Sequence, residues 1–242
     1  MFVVGKTDIG KQRNENQDRF RVAMLDDNTC IAVVCDGMGG AAAGSVASEM
    51  ASNVVYDRLN LSYRPDMEPR SIKAMLTSAL TAANTVVHQK SLDNEENEGM
   101  GTTCVAVLVH NNLACIASVG DSRAYVLNDS GISQITNDHT IVEYLHSKGI
   151  INEHEMKVHK MKNVITRAIG VEGTLEVDYF EVDLRPDSVV LICTDGLTNY
   201  CSDELIYSIV YKRPLEQAAG ELIDYANNSG GKDNITAVLI SA

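Results

Sequence analysis

Four aspartates in this chain stand in one kind of place. Asp36-Gly37 follows the apolar run Ile31 to Cys35, and Asp195-Gly196 follows Leu191-Ile192-Cys193-Thr194. Asp121 follows Ser118-Val119-Gly120 and leads into Ser122-Arg123, while Asp233 stands in Lys232-Asp233-Asn234-Ile235-Thr236, just ahead of the last apolar run. Strand ends at one sheet edge lie close in space, and carboxylates gathered there repel one another unless a counter-ion is supplied. Hard divalent cations with oxygen ligands, Mg²⁺ or Mn²⁺, meet that need. A single Asp-Gly reads more simply as a turn. Two at the ends of buried strands, joined by two more strand-edge aspartates, read as a site. Its centre is Val33-Val34-Cys35-Asp36-Gly37-Met38-Gly39-Gly40, a metal or phosphate site where glycine lets a ligand approach the backbone. Upstream, Arg13 stands five residues before Asp18, which opens a strand. A guanidinium matches two phosphate oxygens with its planar fork, although an ordinary surface arginine is the simpler reading of that residue alone.

The elements that must position these groups are legible in outline. Strands are expected over 2–8, 18–25, 31–35, 102–109, 113–119, 123–127, 176–183, 189–193 and 235–240, the third stopping before Asp36. The small-residue run from Gly39 to Ser48 opens a helix over about 44–59, with Val46, Met50, Val54 and Val55 near a helical period. Ser71 is expected to cap a second helix striped by Ile72, Met75, Leu76, Leu80, Ala83 and Val87. His110-Asn111-Asn112 marks a hairpin. Residues 138–170 are polar, with candidate helices over 139–148 and 153–159, and read as a mobile surface excursion. Asp203 is expected to cap a helix to Tyr211, and 215–227 is another. Strands come in runs and so do helices, which disfavours a doubly wound parallel sheet and points to an antiparallel α+β sandwich with helices outside.

Composition bounds the rest. The 242 residues are 45% hydrophobic, enough for one core and one domain over 1–242. The net charge of -13 argues against a nucleic-acid surface, where affinity comes from Lys and Arg. The six cysteines form no C-x-x-C pair, so they are expected as buried small hydrophobes in a reduced compartment. No run approaches the roughly 20 apolar residues of a membrane span, and the expected setting is cytoplasmic.

Taken together, Arg13-x-x-Asn16-Gln17-Asp18, Asp36-Gly37-Met38-Gly39-Gly40, Gly101-Thr102-Thr103, Gly120-Asp121-Ser122-Arg123, Thr194-Asp195-Gly196-Leu197 and Asp233-Asn234-Ile235-Thr236 resemble the metal-dependent Ser/Thr protein phosphatases, the type 2C or PPM family, in its compact bacterial form. Each motif is weak alone; in this order across nearly the whole chain they are specific. The resemblance implies a four-layer α/β/β/α sandwich, two antiparallel sheets flanked by helices, with two Mn²⁺ or Mg²⁺ ions at one end. It implies that Asp36 bridges both ions, that Asp195 and Asp233 complete the shell of the first ion, and that the Gly37 carbonyl ligates the second ion. It places Asp18 behind a water, matches Asp121 and Asp195 to a third ion, and gives Arg13 to the substrate phosphate. The implied reaction is attack of a metal-bridging hydroxide on phosphoserine or phosphothreonine in proteins, without a phosphoenzyme. A cognate Ser/Thr kinase and its targets are the implied partners, and a monomer is the expected state. Two residues depart from many family members. Met38 stands where a histidine general acid is often found, leaving the proton donor open between water, His139 and His159. Gln17 replaces an acidic residue that supports the second ion. The excursion over 138–170 matches the family's variable flap, a candidate for substrate choice.

Four rival readings fit less well. Gly37-Met38-Gly39-Gly40-Ala41-Ala42, with Asp57 some 20 residues on, mimics a dinucleotide fingerprint, but Asp36 would face the pyrophosphate and no βαβ unit is expected. Gly120-Asp121-Ser122-Arg123-Ala124 approximates a nucleophile elbow but is followed by a strand. A haloacid-dehalogenase-like site needs an aspartate where Met38 stands. A non-catalytic protein that docks phosphoproteins would not need the full carboxylate set with Arg13.

Overall fold

The computed structural model describes residues 1–40 and 43–241. Ala41 and Ala42, in the run expected to open the first helix and in the dinucleotide-like stretch, lie outside the described residues, as does Ala242. Eleven strands among the described residues form two antiparallel sheets. The first runs in the order β1 (Phe2–Asp8), β11 (Ile235–Ser241), β10 (Val189–Cys193), β7 (Arg123–Asn128), β8 (Gly131–Gln134). The second runs β2 (Asp18–Asp26), β3 (Thr29–Met38), β5 (Cys104–His110), β6 (Leu113–Val119), β9 (Asp178–Asp183), with β4 (Gly101–Thr102) paired to the end of β3. Helices α1 (Ala43–Ser62) and α2 (Pro69–Ser91) cover the second sheet; α6 (Asp203–Val210) and α7 (Leu215–Asn228) cover the first. Three short helices, α3 (Ile141–Ser147), α4 (Glu153–Val158) and α5 (Asp195–Thr198), lie between them in the chain.

The four layers follow from strand alternation. In β3, Ile31, Val33 and Cys35 pack under α1 and α2, while Cys30, Ala32 and Val34 pack between the sheets. A strand covered on both faces reads as a continuous apolar run. In β11, Ile235, Ala237 and Leu239 face α6 and α7, and Val238 and Ile240 face the other sheet. The six cysteines are buried, as expected, and none is in a disulfide.

Several boundaries differ from expectation. β3 does not stop at Cys35. It continues through Asp36 and Gly37 to Met38 because β2 and β4 supply pairing partners there. The apolar run ends where burial by helices ends; the ladder goes further. The buried face of α1 is Ala47, Ser48, Ala51, Ser52, Val55 and Leu59, whereas Val46 is exposed. Small residues let the helix sit close on the sheet, and a count of large apolar side chains misses them. Glu68, not Ser71, precedes α2, with Pro69 in the first position, where a missing N–H costs nothing. Ser202, not Asp203, caps α6 by accepting from the Leu205 amide. The short elements β4, β8 and α5 were not expected. The hairpin between β5 and β6 turns on Asn111 and Asn112, with φ of 48° and 63°. Consecutive left-handed residues of this kind match the twist of the flanking strands.

The 138–170 excursion carries α3 and α4 at nearly the expected places, but its ends are fastened. Thr140 bridges Ile165 and Thr102 bridges Ile169, and His139, Thr140, Val142, Ala168 and Ile169 are buried. Only the middle, with Ile150 and Val158, stands open to solvent.

Candidate metal and phosphate site

The β2–β3 register sets Asp18 directly opposite Asp36. Like charges facing each other across a ladder are destabilising, so this pair is retained for something other than stability. By alternation Asp36 shares the face of Val34, and Thr194 and Thr236 continue the faces of Ile192 and Val238. All three therefore project into the space between the sheets, at one end of the sandwich.

Hydroxyls hold the Asp18 carboxylate and the Asp36 backbone. The Asp18 Oδ2 accepts from Thr194 Oγ1 at 2.8 Å and from Thr236 Oγ1 at 2.6 Å. Behind Thr236 lies Thr7 Oγ1 at 2.8 Å, itself accepting from Asn16 Nδ2 at 2.9 Å. The other oxygen, Asp18 Oδ1, is buried with no protein partner. The backbone of Asp36 is fixed by the Gly-Thr-Thr segment. Its N–H donates to Thr103 Oγ1 at 3.0 Å, and its carbonyl accepts from the Thr103 amide and from Thr102 Oγ1. Thr103 Oγ1 also pairs with Ser122 Oγ at 2.7 Å, which links Asp36 to the turn carrying Asp121.

Two glycines permit the close approaches. A Cβ on Gly196 would lie 1.9 Å from the Asn234 carbonyl oxygen, so only glycine lets the Asp195 turn sit against the Asp233 segment. A Cβ on Gly37 would lie 2.1 Å from the Gly44 carbonyl oxygen, and one on Gly44 would lie 3.0 Å from the Gly37 carbonyl oxygen. Buried Asn234 pins the Arg13 loop to this edge. Its Nδ2 donates to the Ile9 and Glu15 carbonyls, and its Oδ1 accepts from the Gln17 amide. Arg13 then reaches Asp233 at 2.8 Å with half its side chain exposed. Gln17 serves through its backbone as well, accepting from the Gly37 amide and Ser48 Oγ.

The electrostatics are those of crowded carboxylates. Burial first, then Asp18, Asp195, Asp121 and Asp233, push Asp36 well above the usual carboxylate range. Burial pushes Asp18 to about 7 against its two threonine donors, with Asp195 and Asp233 adding to the rise. Burial and Asp195 bring Asp121 to about 7; burial and Asp233 bring Asp195 to about 6. Among the described residues no three acidic, histidine or cysteine side chains meet closely enough to enclose one ion. The carboxylates stand within each other's field without converging on a point. The residues nonetheless fit hard divalent cations: the donors are oxygens, their charges repel, and Asp18 Oδ1 lies without a partner.

His139 is not placed as a proton donor. It is buried, its Nδ1 accepts from the Gly120 amide at 3.0 Å, and its Nε2 lies 3.3 Å from Asp178. His159 Nδ1 accepts from the Met161 amide within the excursion. Arg123 is spent on Asp138, at 2.6 Å, and on Tyr125 Oη. Beside Asp121 and Asp195 opens a cleft of about 840 Å³ between the excursion and α5–α6, lined also by Asp138, His146, Lys157 and Asp203. A hollow of about 740 Å³ on α2 contains none of the site carboxylates. Residues missed as contributors are Thr7, Thr194, Thr236, Ser122 and Asn234. The available signal was a hydroxyl or amide beside or near each aspartate.

The chain matches protein phosphatase 2C over residues 5–239. It is 38% identical over 236 residues to a serine/threonine phosphatase of Listeria monocytogenes, covering 97% of this chain and 93% of that one. It is 34% identical to protein phosphatase PhpP of Streptococcus pneumoniae over 244 residues, covering 97% and 95%. Among solved structures, a serine/threonine phosphatase from Staphylococcus aureus superposes with a TM-score of 0.92 at 34% identity, over 99% of this chain and 94% of that one. The catalytic domain of the phosphatase PstP, in complex with two manganese ions, superposes at 0.85 with 30% identity, over 98% and 96%. A family match from residue 5 to 239, with identity to phosphatases of the family along nearly the whole length, leaves one conclusion: the chain belongs to the protein phosphatase 2C family of serine/threonine phosphatases.

Proposed function

We propose that the chain hydrolyses phosphoserine and phosphothreonine in proteins with two Mn²⁺ or Mg²⁺ ions held by Asp36, Asp195, Asp233 and the Gly37 carbonyl, and a third at Asp121 and Asp195. One observation carries this: Asp36 lies in the field of four other carboxylates from four other segments of the chain. When bound, the ions neutralise these carboxylates and draw the pKa of water toward about 7.

The chain's own residues do the rest. Asp36, central in the cluster, would help hold both principal ions. Asp18 keeps Oδ2 on its two threonines and offers Oδ1 to orient a water. Arg13, half exposed at the rim, turns its fork from Asp233 to the phosphoryl oxygens and neutralises charge as it spreads over them. Gln17, being neutral, would support the second ion more weakly than a carboxylate. No side chain is required as nucleophile. Met38 carries no proton and both ring nitrogens of His139 are engaged, so the leaving alkoxide takes its proton from water. Phosphorylated proteins are the substrates, a Ser/Thr kinase and its targets the natural counterpart, and the enzyme acts as a cytoplasmic monomer. No helix among the described residues is long and apolar enough to cross a membrane.

The test is hydrolysis of a phosphothreonine peptide with Mn²⁺, with chelator, and in Asp195→Asn. Turnover that needs Mn²⁺ and is lost in the variant is the expected result. Turnover surviving chelation sinks the metal reading; absence of turnover across several peptides with Mn²⁺ bound points to a docking protein.

A further inference from the structure

One histidine joins the excursion to the turn that carries Asp121. His139 holds both backbone groups of Gly120: the Gly120 N–H donates to Nδ1 at 3.0 Å, and the His139 N–H donates to the Gly120 carbonyl at 2.9 Å. On its other side the His139 carbonyl accepts from the Thr166 amide at 2.8 Å, near the far end of the excursion. Gly120 has a φ of +105°, and a Cβ there would lie 2.6 Å from the Thr103 Cβ, so the turn is pressed against the residue that fixes Asp36. The contact is buried, and a Gly120 amide without an acceptor there is left unsatisfied. The ring is oriented from behind. Nδ1 accepts from the Gly120 amide, which in the neutral ring leaves the proton on Nε2, 3.3 Å from Asp178 Oδ2; Arg167 Nη1 lies 3.1 Å from the same nitrogen and pairs with Asp178 Oδ1 at 2.8 Å.

We propose that His139 is a positioning residue: through the Gly120 amide it fixes the Asp121 carboxylate to both ends of the 138–170 excursion. The Asp121 turn is thereby held from two sides, by the excursion through His139 and by the Asp36 strand through the Thr103–Ser122 hydroxyl pair. Insofar as it concerns an ion at Asp121, the inference rests on the ligand set proposed above.

Two substitutions separate the ring nitrogens. In His139→Asn the amide oxygen falls near the place of Nδ1; in His139→Gln the longer side chain reaches the place of Nε2. Amide exchange at Gly120, measured without metal, and calorimetric titration with Mn²⁺ are the readouts. The Gln variant is expected to exchange about tenfold faster at Gly120 and to bind the weakest Mn²⁺ about tenfold less tightly, with the Asn variant near wild type. Equal behaviour of the two, or a worse Asn variant, overturns the proposal. The unmodified protein gives a check that survives misfolded variants. Its imidazole ¹⁵N spectrum should show an Nε2–H tautomer with a hydrogen-bonded Nδ1; the opposite tautomer overturns it. Asp121→Asn keeps the two readings apart. If that variant leaves the weak Mn²⁺ site intact, the ligand assignment fails and exchange at Gly120 still judges His139. If it abolishes the site while the Gln variant changes nothing, His139 alone fails.

Discussion

Asp36 and Asp121 carry the same side chain toward the same cluster, but the fold holds them differently. Asp36 lies within a strand, paired to Asp18 on one side and tied to Thr102 and Thr103 on the other. Asp121 lies in a turn anchored by the Thr103–Ser122 hydroxyl pair and by a histidine at the root of a partly open excursion. A ladder fixes a group without regard to what the surface does. A turn fastened in part to a surface segment depends in part on that segment's position. One end of the molecule thus holds a carboxylate fixed by a ladder beside one held by a turn.

The largest effect that sharpens this contrast is on turnover. Asp36→Asn is expected to lower kcat by a factor of about 10³ or more with Mn²⁺ saturating, and Asp121→Asn by about tenfold. Equal losses would erase the distinction between the two carboxylates. The next is on stability. Gly196→Ala places a Cβ 1.9 Å from the Asn234 carbonyl oxygen. That contact is with backbone, which cannot swing away, and denaturant unfolding should show a loss of about 3 kcal/mol or more. A loss under about 1 kcal/mol would mean that the Asp195 and Asp233 segments are less tightly apposed than their geometry implies.

A third effect comes from protons. Asp18 and Asp121 are pushed to about 7 and Asp195 to about 6, in each case by burial first. Unfolded aspartates titrate near 4. Between these values the folded chain binds protons that the unfolded chain has lost, so the stability present below about pH 4 falls away as pH rises through 6 and 7. In chelator the protein should melt on the order of 5 °C lower at pH 8 than at pH 5. Mn²⁺ should reverse the slope, because it binds the deprotonated carboxylates. Melting that is flat or rising with pH in chelator would mean that the carboxylates are not crowded.

Much of this was legible in the chain. Doubly covered strands announce themselves as continuous apolar runs, so β3, β10 and β11 are legible together with the aspartates that stand beside those runs. Four layers were not visible in periodicity; they came with the family resemblance, whose motifs are the site itself. The misses share a cause. Pairing that continues past the apolar run, as at Asp36 to Met38, depends on partners distant in sequence. The buried face of α1 is built from Ala and Ser, which signal little. Thr194, Thr236 and Ser122 matter through hydrogen bonds that only the assembled fold creates. His139, first read as a rival proton donor, turned out to be a fastening, because which groups surround a histidine is a tertiary fact.

The smallest expected effect concerns the two arginines of the site. Arg123 is locked between Asp138 and Tyr125, mostly buried, and belongs to the framework. Arg13 pairs with Asp233 at a similar distance, but the two side chains are 49% and 32% exposed. Solvent screens such a pair, so Arg13→Ala should change stability by under about 1 kcal/mol, a shift of no more than roughly 2–4 °C in melting. The same variant should raise KM for a phosphopeptide more than it lowers kcat if the guanidinium serves the ground-state phosphate. An equal fall in kcat and kcat/KM would place its contribution in the transition state instead. A guanidinium whose removal leaves stability nearly unchanged but weakens substrate use is held at the rim for the ligand. If melting instead fell as far as expected for Gly196→Ala, Arg13 would belong with Arg123 to the framework, and the phosphate would need another partner.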